Sequence, residues 1–193
     1  MSSGGKYQLA IFASGTGSNA DKICNYFSDH PSIRVCLIVT NRSKAGVREV
    51  AERHGIACIV IPKSEWAQPE FVLPALRTRD ITHIVLAGFL LLLPSYLVSE
   101  YQGRIINIHP ALLPKFGGYG MHGLHVHEAV KESGDRVSGI TIHEVNENYD
   151  EGRVLFQKEV DIESSDSVSD ISNKVQVLEH YYFPRVIEKW ILG

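Results

Sequence analysis

The chain has 193 residues, 44% of them apolar and 21% charged, which suits one compact domain with a sizeable core and excludes a wholly disordered chain. Lys and Arg total 19 against 22 Asp and Glu, and the net charge of −3 argues against a general nucleic-acid or membrane-surface binder, whose affinity needs a basic face. The longest apolar stretch, 84–94, is too short for a membrane helix, and Cys24, Cys36 and Cys58 lack metal or redox spacing, so the expectation is a soluble cytoplasmic protein with reduced thiols.

No repeat, linker or secretion segment is visible, so residues 1–193 are expected to form one domain behind a short flexible tail at 1–6. Runs rich in Val and Ile at 9–13, 35–40, 58–61, 84–87 and 105–108 predict strands. Amphipathic stretches at 19–28, 45–54, 70–79 and 94–102 predict the helices between them. Continuously apolar strands alternating with helices indicate an α/β fold: a Rossmann-like, mostly parallel sheet with helices on both faces. After a further helix at 125–133 the rhythm changes. Runs at 137–144 and 154–160 flank a turn-rich 146–152, which predicts a late antiparallel pairing. A long C-terminal helix starts near Val168, with Ser167 as N-cap and Asp170 in its first turn. Ile171, Val175, Leu178 and Tyr182 mark its buried face, and Pro184 is expected to kink or interrupt it.

In such sheets ligands bind beyond the carboxyl ends of the strands, so the residues after each strand carry the functional signal. After the first strand comes Ser14-Gly15-Thr16-Gly17-Ser18-Asn19-Ala20, entering a helix. Glycines let the backbone approach a ligand closely, and a helix N-terminus offers free N–H groups to an anion. A plain strand–helix turn is the simpler reading. The segment also fits the dinucleotide fingerprint, but the second strand ends Thr40-Asn41-Arg42, without the acid that would hold a ribose. Arg42 could accommodate a 2′-phosphate, so a phosphorylated dinucleotide stays open as an alternative.

The fifth strand ends Asn107-Ile108-His109-Pro110, and residues two apart on a strand share a face. Pro110 biases His109 towards an extended conformation and ends the strand. An amide beside an imidazole suits a developing oxyanion, since one donates an N–H and the other shuttles a proton. Buried polar pairs of this kind are also common as structure alone. Asp150, in the turn Tyr149-Asp150-Glu151-Gly152, could orient His109 and favour its cationic form; an ordinary acidic turn is the alternative. The stretch 116–127 holds His122, His125 and His127, but with no cysteine and no helical His-Glu-x-x-His it reads as a mobile Gly-rich loop beside the site and not as a metal centre.

Taken in order, Ser14-Gly15-Thr16-Gly17-Ser18-Asn19, Leu86-Ala87-Gly88-Phe89, Asn107-Ile108-His109-Pro110-Ala111-Leu112-Leu113-Pro114-Lys115 and Asp150-Glu151-Gly152 resemble the folate-dependent formyltransferases, over a span from about Tyr7 to Trp190. The Asn-x-His-Pro segment with its Leu-Leu-Pro marks the group. Ser-Gly-x-Gly-Ser-Asn narrows the resemblance to the branch acting on glycinamide ribonucleotide in purine synthesis. The resemblance implies the formyltransferase fold and transfer of a formyl group from 10-formyltetrahydrofolate to the primary amine of that ribonucleotide. It implies two small-molecule partners, no metal, no nucleic acid and no membrane, and leaves the oligomeric state open.

By position, the resemblance makes Asn107, His109 and Asp150 the catalytic trio. It assigns Gly15, Gly17, Ser18 and Asn19 to the substrate phosphate, and Gln176 and Glu179 to its ribose and amine side. It assigns Leu90, Leu91, Leu92 and Leu93, with Asn107, Asn146, Glu147, Asn148, Tyr149 and Asp150, to folate. Three features depart from the family pattern. Ala67-Gln68-Pro69-Glu70 lacks an Arg that contacts folate, a Gly-rich insertion follows Lys115, and Glu144 stands where an aromatic or aliphatic residue is usual. Within the group the rivals are methionyl-tRNA formyltransferase, expected with a further C-terminal RNA-binding domain, and 10-formyltetrahydrofolate hydrolase, expected with an N-terminal regulatory domain. A non-catalytic nucleotide-binding module is the alternative from another class, since fold alone does not give function.

Overall fold

The computed structural model describes residues 6–193, so the expected tail at 1–6 lies outside the described residues except for Lys6. The elements run β1 (Tyr7–Phe12), α1 (Ser18–Tyr26), β2 (Ile33–Thr40), α2 (Val47–Arg53), β3 (Ala57–Val60), a 3-10 turn (Lys63–Glu65), α3 (Pro69–Arg77), β4 (His83–Leu86), α4 (Ser95–Glu100) and β5 (Ile105–His109). They continue with α5 (Leu124–Ser133), β6 (Val137–Glu144), β7 (Val154–Asp161) and α6 (Val168–Leu192). The expected strands and helices are all present, their ends displaced by at most a few residues.

The strands form one sheet in the order β3-β2-β1-β4-β5-β6-β7, parallel from β3 to β5 and antiparallel across β5–β6 and β6–β7. Side-chain alternation along β1 explains the two-sided core. Leu9 and Ile11 face a layer containing Ile23, Val50, Phe183 and Ile187 from α1, α2 and α6. Ala10 and Phe12 face Trp66, which follows the 3-10 turn, and Val72, Leu76 and Leu97 from α3 and α4. The expected hairpin of β6 and β7 is present, but β6 also pairs with β5 and so joins the late strands to the parallel sheet. Among the described residues no helix is long and apolar enough to cross a membrane.

The cap of α6 is as expected. The Ser167 hydroxyl accepts from the Asp170 N–H at 3.2 Å, and the Asp170 carboxylate accepts from the Ser167 N–H at 2.8 Å, forming a capping box. Pro184 does not interrupt the helix, which runs unbroken to Leu192. Proline supplies no N–H to the preceding turn, but Phe183, Ile187 and Ile191 are buried around it, and that packing offsets the missing bond.

Gly17 caps α1 at φ 83°, and a Cβ there would lie 2.8 Å from the Val47 backbone. Both the left-handed backbone and the contact with α2 demand glycine. Gly15 has no heavy atom within 4 Å of its Cβ position. Gly17→Ala should therefore destabilise the fold by about 2 kcal/mol or more in a denaturant melt, whereas Gly15→Ala should stay within about 0.5 kcal/mol of wild type. Equal losses at the two positions would refute this division of roles.

Candidate active site

The carboxyl ends of β1, β4 and β5, the loops 113–123 and 145–150, and one flank of α6 enclose a cavity of about 1050 Å³. Its polar lining includes Gly15, Thr16, Asn19 and Glu179, and its apolar lining includes Trp66, Phe89, Leu90, Leu91, Leu92, Leu93 and Val145. Asn107, His109, His143 and Asp150 line the same cavity.

Asn107 and His109 sit two apart on β5 and project together, as their spacing predicts. The β5–β6 register sets Asn107 directly opposite His143. His143 Nδ1 lies 2.8 Å from the Glu144 carbonyl, which can only accept, so the neutral ring carries its proton there. Its Nε2 is then free to accept from the Asn107 amide at 3.1 Å. The second amide hydrogen of Asn107 faces Asp150 Oδ1 at 3.5 Å.

Asp150 occupies the left-handed region at φ 58°, which Asp and Asn tolerate better than most residues. Its side chain is 11% exposed and lies 3.5 Å from His109 Nδ1 and 3.5 Å from His143 Nε2. The Gly118 N–H donates to its Oδ2 at 3.0 Å. Burial pushes the Asp150 carboxyl up, but His143, His109 and the Gly118 N–H together outweigh it and hold the carboxyl below the usual aspartate range. His109 donates from Nε2 to the Phe116 carbonyl at 2.8 Å. Its pKa lies below the ordinary histidine value because burial outweighs the pull of Asp150 and the Phe116 carbonyl. Asp150 thus favours the imidazolium as expected, but it does not prevail, because removing the ring from water disfavours the charge more.

On the polar side, Asn19 Nδ2 donates to Glu179 at 2.8 Å, while the buried Asn19 Oδ1 has no partner and remains available to a ligand donor. Burial raises the Glu179 carboxyl above its usual range, and the Asn19 amide offsets part of that rise. Gln176 reaches Ser18 Oγ at 3.4 Å, so the Gly15–Asn19 turn and α6 meet as the resemblance implies. Gly17 and Ser18 fall between the lining residues Thr16 and Asn19, and Gly17 packs against Val47. Asn148 and Tyr149 line the main cavity, whereas Asn146 and Glu147 line a smaller neighbouring one beside Glu144 and Arg153. The unusual Glu144 is explained there by its ion pair with Arg153 at 2.5 Å.

Asn41 accepts from the Ser14 hydroxyl at 2.6 Å, and that hydroxyl in turn accepts from the Leu90 N–H at 3.0 Å. The end of β2 is therefore committed to bracing two loops, which weakens the dinucleotide alternative. Among the described residues no group of three or more His, Cys, Asp or Glu side chains could hold a metal ion. His125 is exposed and pairs with Glu128, while His127 is buried beside the cavity.

Sequence reasoning missed His143, and it placed His127 only in the Gly-rich stretch beside the site. A buried polar residue within the apolar run Ile140-Thr141-Ile142-His143 was the available signal for His143; only the β5–β6 register gives it meaning. It also missed Lys63 and Trp66, which line the cavity near the stretch that lacks the family's Arg.

Comparison with known proteins gives one consistent family. Residues 7–187 match the family described as formyl transferase. The chain is 43% identical over 187 residues to the chloroplastic phosphoribosylglycinamide formyltransferase of Arabidopsis thaliana, covering 93% of this chain and 64% of that protein. It is 36% identical to the phosphoribosylglycinamide formyltransferase of Bacillus subtilis, covering 96% of this chain and 95% of that one. The chain spans 64% and 60% of the length of the two plant relatives it matches, from Arabidopsis thaliana and Vigna unguiculata. Among solved structures, glycinamide ribonucleotide transformylase 1 from Geobacillus kaustophilus superposes with a TM-score of 0.87 at 32% identity, covering 97% of this chain and all of that one.

The electrostatics set a direction for His109. It should titrate below the ordinary histidine value of about 6.5 in an NMR pH series on the free protein. Asp150→Asn keeps the backbone conformation but removes the charge that raises this pKa, so the midpoint should move lower still. An unmoved midpoint would show that the two groups are not coupled.

Proposed function

From the premise that the chain belongs to the formyl transferase family, we propose that it transfers the formyl group of 10-formyltetrahydrofolate to the primary amine of glycinamide ribonucleotide, yielding formylglycinamide ribonucleotide and tetrahydrofolate. The observation that carries the reading is the convergence of Asn107, His109 and Asp150 on one cavity that is polar in one part and apolar in another. A nucleotide-binding module has no need of that trio.

The residues present fit both small molecules. Trp66, Phe89, Leu90–Leu93 and Val145 offer an apolar surface to a flat folate ring, and Lys63 offers a cation to its carboxylate tail. The N-terminus of α1, the unpartnered Asn19 Oδ1, Gln176 and Glu179 suit a phosphorylated ribose carrying an amine. The folate supplies an activated formyl carbon.

Attack by the amine places negative charge on the formyl oxygen. The Asn107 amide hydrogen that faces Asp150 Oδ1 only loosely, at 3.5 Å, turns to that charge, and His109 adds positive charge as it takes up a proton. Near neutral pH the resting imidazole is uncharged, so it can accept a proton as the oxyanion develops beside it. Asp150 holds the ring in place and stabilises its charged form. The proton leaving the amine passes through His109, Asp150 and water to the folate nitrogen as its bond to the formyl carbon breaks. The cytoplasm is the proposed compartment, consistent with the free thiols of Cys24, Cys36 and Cys58.

Incubation with both compounds should release tetrahydrofolate only when glycinamide ribonucleotide is present; release without it would indicate a hydrolase. Asn107→Ala should lower kcat by about 10²–10³ as an oxyanion donor is lost, with only a modest fall in Tm from its bonds to His143 and Asp150. A fall below about tenfold would refute that role.

A further inference from the structure

We propose that Tyr119, at the tip of the glycine-rich loop, pairs with Tyr149 to clamp the planar ring system of the folate co-substrate, and so determines affinity for that co-substrate alone. The inference rests on the formyl-transfer reading and adds a residue to it.

Tyr119 is 90% exposed, so its ring stands mostly in solvent in the free protein. It nevertheless lines the cavity, and its ring meets that of half-buried Tyr149 edge-on at 6.1 Å. The loop holds it there. Met121 N–H donates to the Gly118 carbonyl and His122 N–H to the Gly120 carbonyl, both at 3.1 Å, forming tight turns around the tip. The base of the loop is tied to the catalytic pair through the Phe116 carbonyl on His109 and the Gly118 N–H on Asp150. Tyr119 therefore follows directly on the group that binds the catalytic carboxylate, while Gly118 and Gly120, at φ 93° and 85°, flank it with backbone that bulkier residues would resist.

The chemistry of the two proposed ligands identifies the occupant. Glycinamide ribonucleotide is a phosphorylated ribose with a short amide and carries no aromatic ring. The folate carries a fused ring and a benzoyl ring. An edge-on tyrosine pair offers ring faces and edges that a flat aromatic ligand matches best.

The test is calorimetric titration of the full chain with tetrahydrofolate, with KM measured for each substrate. Tyr119→Ala should weaken tetrahydrofolate binding about 3- to 10-fold and raise the KM for 10-formyltetrahydrofolate similarly, leaving the KM for the ribonucleotide unchanged. Tyr119→Phe should restore wild-type affinity, because the ring and not the hydroxyl makes the contact. Truncating so exposed a side chain should leave Tm unaltered. Wild-type affinity in Tyr119→Ala, or equal rises in both KM values, would overturn the clamp while leaving the formyl-transfer reading intact. Failure of the wild-type chain to bind tetrahydrofolate would overturn both.

Discussion

A carboxylate removed from water must find compensating partners, and the Asp150 carboxylate sets that requirement for the whole second half of this fold. Four groups surround it, drawn from three stretches of backbone: His109 and Asn107 from β5, His143 from β6, and the Gly118 N–H from the long loop after β5. Their convergence explains otherwise unrelated features. The antiparallel β5–β6 pairing is what brings His143 opposite Asn107. Gly152 lets the Asp150 turn fold back against β6, since a Cβ there would lie 1.6 Å from the Glu144 carbonyl.

The reversal of strand direction at β5–β6 also separates two kinds of work. The parallel half lines the cavity with its strand ends: a glycine turn and helix N-terminus after β1, and a leucine-rich turn after β4, the proposed ligand surfaces. Asn107 and His109 end the last parallel strand, and the antiparallel half sets His143 and Asp150 beside them. The proposed catalytic residues thus sit where the parallel and antiparallel parts join, with most of the proposed ligand surfaces on the parallel side. Both surfaces are braced by Ser14, which bonds Asn41 and the Leu90 N–H and so ties the ends of β1 and β2 to the turn after β4.

Burial acts in opposite senses on the two key titrating groups. It would neutralise Asp150, yet the Gly118 N–H donates to the carboxylate, and any positive charge on the neighbouring imidazoles favours its ionised form. It neutralises His109 despite the same carboxylate, because one nearby charge and one carbonyl do not replace the lost hydration of an imidazolium. The pair is therefore an anion beside a neutral base, ready to take a proton when negative charge forms on a substrate. The sign of the His109 shift depends on how much water the Phe116–Gly118 loop excludes, a quantity that no local stretch of sequence encodes.

What the sequence by itself determined is everything that local pattern controls. Periodicity gave the strands and helices, two-residue spacing placed Asn107 and His109 on one face, and the Ser167–Asp170 box fixed the start of α6. The motif order carried the family. Only the tertiary structure decided that β6 pairs with β5, making His143 a site residue, and that α6 passes intact through Pro184 because its flanks are buried. It also decided that Gly17 serves packing, with Val47 supplied by a helix thirty residues away in the chain. The physical reason is common to all of these. Spacing along one strand or helix is set by backbone geometry, whereas strand partners, burial and solvent exclusion are set by contacts between residues far apart in sequence.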